Sequence, residues 1–279
     1  MALIQAAVLG IIQGLTEFLP VSSSGHLILV RETLGWNLLA DTHLNTLFDL
    51  AVHAGTFVGV FIYFWPDVQR YVMSVTPRGL QDRARDQDRR LAFIILVATI
   101  PAATAGILGN SAIETHLREA PMIVAGLLIA FGIILWLAEW RGSKVRELGT
   151  TGWVDGVLIG LAQALSLAPG VSRSGITMTV GLARGMTRES AARFSFLLSI
   201  PIIGGAALYG ATDLVQSAGA LPEGSLGIFA MGFATAALSG YLCIRYFLRY
   251  LQRHAFRPFV IYRVLVGVFL LAWFGIQAG

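Results

Sequence analysis

The sequence predicts an all-α polytopic membrane protein: six transmembrane helices plus two re-entrant helical hairpins in an inverted-topology repeat. Three observations predict it. Hydrophobic residues make up 56% of the 279 residues and charged residues 13%, at a mean hydropathy of +0.71. A water-soluble domain cannot hide that much apolar surface, so the solvent is a bilayer. Six stretches are long and apolar enough to cross it, and two more are apolar but broken in the middle.

A spanning helix needs about 20 mostly apolar residues. The six stretches are 46–65, 91–108, 121–140, 194–212, 226–248 and 259–277. The broken stretches are 2–36 and 153–183. The first break reads Pro20-Val21-Ser22-Ser23-Ser24-Gly25-His26, the second Pro169-Gly170-Val171-Ser172-Arg173-Ser174-Gly175. Irregular backbone at membrane depth is tolerated only where protein buries it or it lines a wet cavity. Both stretches therefore read as re-entrant hairpins. The first basic residue is Arg31, so the start lacks the basic region of a secretory signal peptide and reads as mature structure. The single cysteine, Cys243, forms no disulfide within the chain and says nothing about compartment.

Charge sets the orientation. With loop 66–90 in the cytoplasm, loops 141–152, 184–193 and 249–258 join it, and this side carries 15 Lys or Arg residues. The opposite side carries two, Arg31 and Arg118. Such an excess marks the cytoplasmic face; both termini then lie outside, and the net charge of +4 needs no anionic macromolecule to explain it. The first hairpin enters from outside, the second from inside.

The halves 1–150 and 151–279 echo each other. At a shift of 150, Gly10, Gln13, Leu15, Val21, Ser22, Ser24 and Gly25 fall on Gly160, Gln163, Leu165, Val171, Ser172, Ser174 and Gly175. A second echo, at a shift of 100, sets Ile100-Pro101 against Ile200-Pro201. The first half thus carries extra residues, expected in the Arg-rich loop. Each half is a hairpin plus three spans, and an odd number of spans inverts the second half within one integral domain. Inverted repeats place their site near the midplane, where broken helices meet.

Gln13 and Glu17 are four residues apart and share a helical face. A carboxylate at membrane depth is costly, which favours a working role over a structural hydrogen bond. Arg173 is the basic residue of the second break. It is either a structural ion-pair partner or a planar fork for phosphate oxygens. Ser172, Ser174 and Thr177 surround it at the start of a helical segment, where backbone N–H groups and the helix dipole favour an anion. Ser22, Ser23, Ser24 and Gly25 repeat the arrangement, so two facing cradles suit a diphosphate. His26 follows the first cluster; His53 lies four residues after Asp49 in a span, a spacing that lets the pair face the same cavity. His43, His116 and His254 lie in or near loops, and Asp155 reads as an interface residue. Trp65, Trp136, Trp140 and Trp153 fit an aromatic belt. Phosphohistidine phosphatases also need a Lys/Arg-Pro element and a later His-x3-Asp; here the single lysine, Lys144, lies in a loop and no His-x3-Asp follows Arg173, and the His-Glu-x-x-His and paired-Cys metal motifs are missing from the sequence too.

The motifs Gln13-x3-Glu17, His26 and Pro169-Gly-Val-Ser172-Arg173-Ser174-Gly-Ile-Thr177, with similar run lengths along essentially the whole chain, resemble the bacterial undecaprenyl-diphosphate phosphatase family of the bacitracin-resistance type. The resemblance implies hydrolysis of undecaprenyl diphosphate in the bacterial inner membrane, with Mg²⁺ or Ca²⁺ required; the charge-based topology, in which the first hairpin enters from outside, puts the active site facing outside. Arg173 would clamp phosphate. Glu17, itself an anion, must be protonated, bridge through the cation, or activate a nucleophile. Ser23 aided by His26 is the first choice of nucleophile, and water activated by Glu17 or His26 the second. Gln13 is uncharged and reads as a positioning group, with Ser22, Ser24, Gly25, Ser172, Ser174 and Thr177 around the substrate. The expected partners are the lipid diphosphate and membrane lipids, with a homodimer admitted and nucleic acid not expected. Transport of the lipid phosphate is the alternative; a scaffold would not need an acid and an arginine in the breaks.

Overall fold

The computed structural model describes residues 1–36, 42–118, 120–217 and 224–277, with side chains described for 1–36, 44–108, 120–208 and 224–276. The side chains of His43, His116 and Arg118 fall outside these. Among the described residues the chain is helical, with no strand. The helices are α1 (Ala2–Phe18), α2 (Ser23–Leu34), α3 (Thr42–Tyr63), α4 (Trp65–Ser74), α5 (Asp86–Arg118), α6 (Pro121–Arg141), α7 (Trp153–Ala164), α8 (Arg173–Ala183), α9 (Arg188–Ser217), α10 (Ser225–Leu251) and α11 (Arg257–Gln277).

Six of the described stretches are long and apolar enough to cross a membrane: Leu44–Tyr63, Arg83–Leu108, Pro121–Arg141, Arg188–Leu208, Ser225–Leu251 and Arg257–Ile276. They match the six expected from sequence. Each leaves at least half of its most apolar window unburied by protein, as lipid-facing helices do. The two broken stretches fold as short helix pairs, α1–α2 and α7–α8, separated by the Pro-containing breaks. Loop 66–90 holds more order than expected: α4 occupies Trp65–Ser74, and two 3-10 turns follow.

The chain forms two compact units, each drawing on both sequence halves. The first comprises Met1–Phe18, Ser23–Tyr63 and Ser199–Tyr246. Here α10 packs against both α1 and α3 on small residues. A Cβ at Gly10 of α1 would collide with the Gly232 carbonyl of α10, and one at Gly55 of α3 with the Phe233 carbonyl. Lipid supplies no hydrophobic drive between helices, so such close backbone approach is what holds them. Leu9, Leu47, Phe48, Val52, Phe229 and Ala236 fill the core of this unit.

The second unit comprises Leu19–Ser22, Phe64–Leu198 and Phe247–Gly279. In it α7 runs against α5, where a Cβ at Gly160 would strike the Ala98 carbonyl. Helix α11 pairs with α6, and α8 packs on α6 and α7. The basic residues of the Arg-rich side meet buried carboxylates. Asp155 binds Arg146 at 2.6 Å and Arg184 at 2.7 Å and caps α7 through the Gly152 N–H. Glu139 binds Arg188 at 2.5 Å and accepts from the Phe256 N–H. Asp67 binds Arg193 at 3.2 Å. Asp155 is thus a structural anchor. Burial raises the proton affinity of its carboxyl, but the hydrogen bonds from Arg146, Gly152 and Arg184 outweigh that and hold its pKa at about 2.

Candidate active site

Helix α1 ends at Phe18 and α2 starts at Ser23, so the first break places Ser23 where it reaches back to the last turn of α1. Its hydroxyl donates to Glu17 Oε2 at 2.6 Å, within the range of a hydrogen bond to an ionised carboxylate. Gln13, one turn earlier and fully buried, donates its Nε2 hydrogen to the same oxygen at 3.0 Å. Its own Oε1 is buried without a hydrogen-bond partner. Glu17 is 8% exposed, so its carboxylate stands at a position where charge is costly and partners matter.

A third group faces Glu17. His53 of α3 places Nε2 3.8 Å from Glu17 Oε2. Its Nδ1 lies 2.7 Å from the Asp49 carbonyl; a carbonyl only accepts, so Nδ1 carries a hydrogen and Nε2 is the atom turned to Glu17. The Asp49 carboxylate turns elsewhere, to a two-point pair with Arg31 at 2.6 and 3.0 Å. Asp49 and His53 are joined through the Asp49 backbone carbonyl. His26 is 7% exposed, on the first turn of α2. Ser24 is half-buried and Gly25 buried beside it.

The second unit gathers the remaining residues. Helix α8 starts at Arg173, and Ser172 caps it, its Oγ accepting from the Gly175 N–H at 3.1 Å. Ser172 Oγ also lies 3.2 Å from Ser174 Oγ. Ser174 donates to the Leu19 carbonyl at 2.9 Å, and the Gly170 N–H donates to Ser22 Oγ at 3.2 Å. The two breaks are therefore hydrogen-bonded to each other. Ser22 and Ser172 share a left-handed backbone, at φ 74° and 71°, a conformation that costs a non-glycine residue of order 1–3 kcal/mol and concentrates at functional sites. Thr177 packs its hydroxyl 2.7 Å from Ser195 Oγ, and the half-buried Arg173 extends toward the Ser195 carbonyl at 3.4 Å.

Counting charges loop by loop passes over Arg263. It lies inside the apolar run 259–277, yet it is 1% exposed and bonds both breaks, donating to the carbonyls of Pro20, Gly170 and Val171. An arginine inside a span was the signal that could have found it.

Among the described residues no group of three or more His, Cys, Asp or Glu side chains is placed to hold a metal ion. Glu17 is the carboxylate of the site, and the Gln13 amide oxygen is buried without a hydrogen-bond partner. Mg²⁺ commonly binds through one or two carboxylates plus substrate phosphates, and oxygen donors suit Ca²⁺ too. The residues fit a hard cation that the substrate helps to hold.

Fold and site together define the class: a polytopic helical membrane protein with a serine–carboxylate pair set across a broken helix. The model of the family "Bacitracin resistance protein BacA" matches residues 6–269. The chain belongs to that family. It is similar to the undecaprenyl-diphosphatase of Teredinibacter turnerae, 46% identical over 274 residues that cover 97% of this chain and 98% of the relative. It is also similar to the undecaprenyl-diphosphatase of Geobacter sulfurreducens, 45% identical with 98% of each chain covered, and to that of Moorella thermoacetica, 44% identical with 99% and 100% covered.

Proposed function

We propose that this protein hydrolyses undecaprenyl diphosphate to undecaprenyl phosphate and inorganic phosphate, with Ser23 as nucleophile and Glu17 as its base. The 2.6 Å Ser23–Glu17 hydrogen bond carries this reading. A hydroxyl donating to a carboxylate keeps its lone pairs free for attack, and its proton already has a destination. Glu17 is the first candidate base in this reading, because its carboxylate accepts directly from the Ser23 hydroxyl.

Ser23 Oγ attacks the terminal phosphorus and Glu17 takes the proton. The bridging P–O bond breaks, undecaprenyl phosphate leaves with the bond pair, and the phosphoryl group stays on Ser23. Glu17 releases the first proton to the departing phosphate; water then attacks the phosphorus on Ser23, giving its proton to Glu17, and Glu17 passes that proton to Ser23 Oγ as it leaves as the hydroxyl. Gln13 orients the Glu17 carboxylate through its Nε2 hydrogen. Arg173, at the start of α8, takes phosphate oxygens with its fork, and Ser22, Ser24, Gly25, Ser172, Ser174 and Thr177 shape the loops. Phosphoryl transfer rests mainly on such positioning and charge neutralisation. Glu17, together with substrate phosphate oxygens, would hold Mg²⁺ or Ca²⁺, which neutralises phosphate charge when bound.

The halves 1–150 and 151–279 form an inverted repeat in this reading, with α1–α2 and α7–α8 as re-entrant hairpins. Three features support it. Helices α2 and α8 start 150 residues apart, at Ser23 and Arg173. Their preceding serines share one unusual φ. Gly10 backs onto α10 and its counterpart Gly160 onto α5, which makes α5 and α10 equivalent. The Pro101 and Pro201 echo then joins α5 to α9, which are not equivalent helices, and counts as chance. Helix α4 supplies the extra residues of the first half. The 15-to-2 distribution of basic residues supports an outward-facing site in the bacterial inner membrane.

Phosphate release by pure protein in detergent tests the proposal. An enzyme turns over there; a transporter of the lipid phosphate, which needs two membrane sides, does not.

A further inference from the structure

Arg263 is the largest of the fully buried side chains. Its Nε donates to the Leu128 carbonyl at 3.0 Å, Nη1 to Pro20 at 3.1 Å, and Nη2 to Gly170 at 2.9 Å and Val171 at 3.1 Å. Glycine makes room for it. A Cβ at Gly132 would lie 3.3 Å from the Arg263 Cβ, and one at Gly175, in the first turn of α8, 2.9 Å from Nη1. All four acceptors are main-chain carbonyls, and none of the ion pairs among the described residues includes Arg263.

Carbonyl dipoles replace the hydrogen bonds of water but carry no net charge. A full positive charge is therefore held inside a spanning helix with no carboxylate against it, an arrangement that is expensive unless something else uses it. The hydrogen bonds also orient the backbone. A trans peptide points its N–H opposite to its carbonyl. By holding the Val171 carbonyl, Arg263 turns the N–H of Ser172 away from itself; by holding the Pro20 and Gly170 carbonyls it fixes the peptides just before Val21-Ser22 and Val171-Ser172. Both left-handed serines follow directly.

We propose that Arg263 is a positioning residue of the phosphate site: it locks the two breaks in one arrangement and holds an uncompensated positive charge that a diphosphate completes. The inference rests on the phosphatase reading of the same site. No contact between Arg263 and substrate is required, since the guanidinium acts through the loops it grips and through its field in a low-dielectric setting.

The test measures binding of inorganic pyrophosphate, kcat and KM on the full-length protein in detergent, for the wild type, Arg263→Lys and Arg263→Gln, each first checked for a cooperative melt. Arg263→Gln should weaken pyrophosphate binding about tenfold or more, the size of one charged partner lost, and lower kcat as well. Arg263→Lys keeps the charge without the fork, so it should hold most of the pyrophosphate affinity while kcat still falls. A residue that served packing alone would lower the melting temperature and leave the affinity of the folded protein unchanged. Wild-type affinity in folded Arg263→Gln, wild-type kcat in Arg263→Lys, or failure of both variants to fold overturns the inference. A wild type that does not bind pyrophosphate contradicts the phosphate site itself, and the inference falls with it.

Discussion

Ser23 and Glu17, six residues apart on opposite sides of a helix break, meet at 2.6 Å. The break makes the meeting possible: in a continuous helix residues six apart lie on different faces, whereas a pause at Leu19–Ser22 lets the first residue of α2 turn back to the last turn of α1. Glu17 Oε2 thereby takes hydrogen bonds from Ser23 and Gln13, and the carboxylate is held as a proton acceptor in one orientation.

The first prediction concerns that acceptor. Glu17→Gln keeps shape and loses basicity, so phosphate release should drop roughly 100-fold or more, the contribution typical of general-base catalysis. Gln13→Ala should cost less, because it removes an orienting bond and no base. A Glu17→Gln enzyme with near wild-type kcat would move the base elsewhere, to His26 or His53.

Arg173→Lys keeps one positive charge and loses the planar fork. The rate should fall roughly 100-fold, as when one preorganised donor is removed from a site of developing charge. KM should rise too, since phosphate charge exists before the reaction. A change in KM alone, with kcat intact, would reduce Arg173 to ground-state binding.

Much of this was legible beforehand, for physical reasons. Long apolar runs announce spans, and the Pro–Ser breaks announce themselves because irregular backbone is rare at membrane depth. Glu17 and Arg173 stood out as charges in those breaks. What stayed hidden depends on tertiary contact. The approach of His53 to Glu17 joins residues 36 positions apart in the chain, and no spacing rule gives that distance. Arg263 hid inside an otherwise apolar run. Helix α4, ten residues long, is too short for a periodic signal to separate from a loop. Asp155 read as an interface residue because its partners, Arg146 and Arg184, come from two different loops.

Asp155 gives a stability prediction. Its carboxyl, 2% exposed and held at about 2, binds its proton more weakly when folded than when unfolded. The stability it contributes is therefore complete above the ordinary carboxylate pKa and is lost as pH falls toward about 2. Asp155→Asn should lower the melting temperature at neutral pH and narrow the gap to wild type below pH ~4, where the unfolded carboxyl protonates. An unchanged melting temperature at neutral pH would show that the two arginines are satisfied by solvent.

Topology is open to labelling. With the basic loops inside, a cysteine introduced at Arg83 or Arg146 should react only after the membrane is permeabilised, whereas one at Ala2 should react in intact cells. Reaction of all three from the same side would contradict the inverted repeat.

The most direct measurement is rapid acid quench of the purified wild-type protein mixed with a short-chain prenyl diphosphate, followed by mass spectrometry of the peptide carrying Ser23. The account predicts a phosphoserine at residue 23 that forms within one turnover, decays as phosphate appears, and is missing from Ser23→Ala, which should bind substrate but release phosphate at under about a hundredth of the wild-type rate. Phosphate release by Ser23→Ala at more than about a tenth of the wild-type rate, with no phosphoserine in the wild type, would contradict it and leave water as the nucleophile.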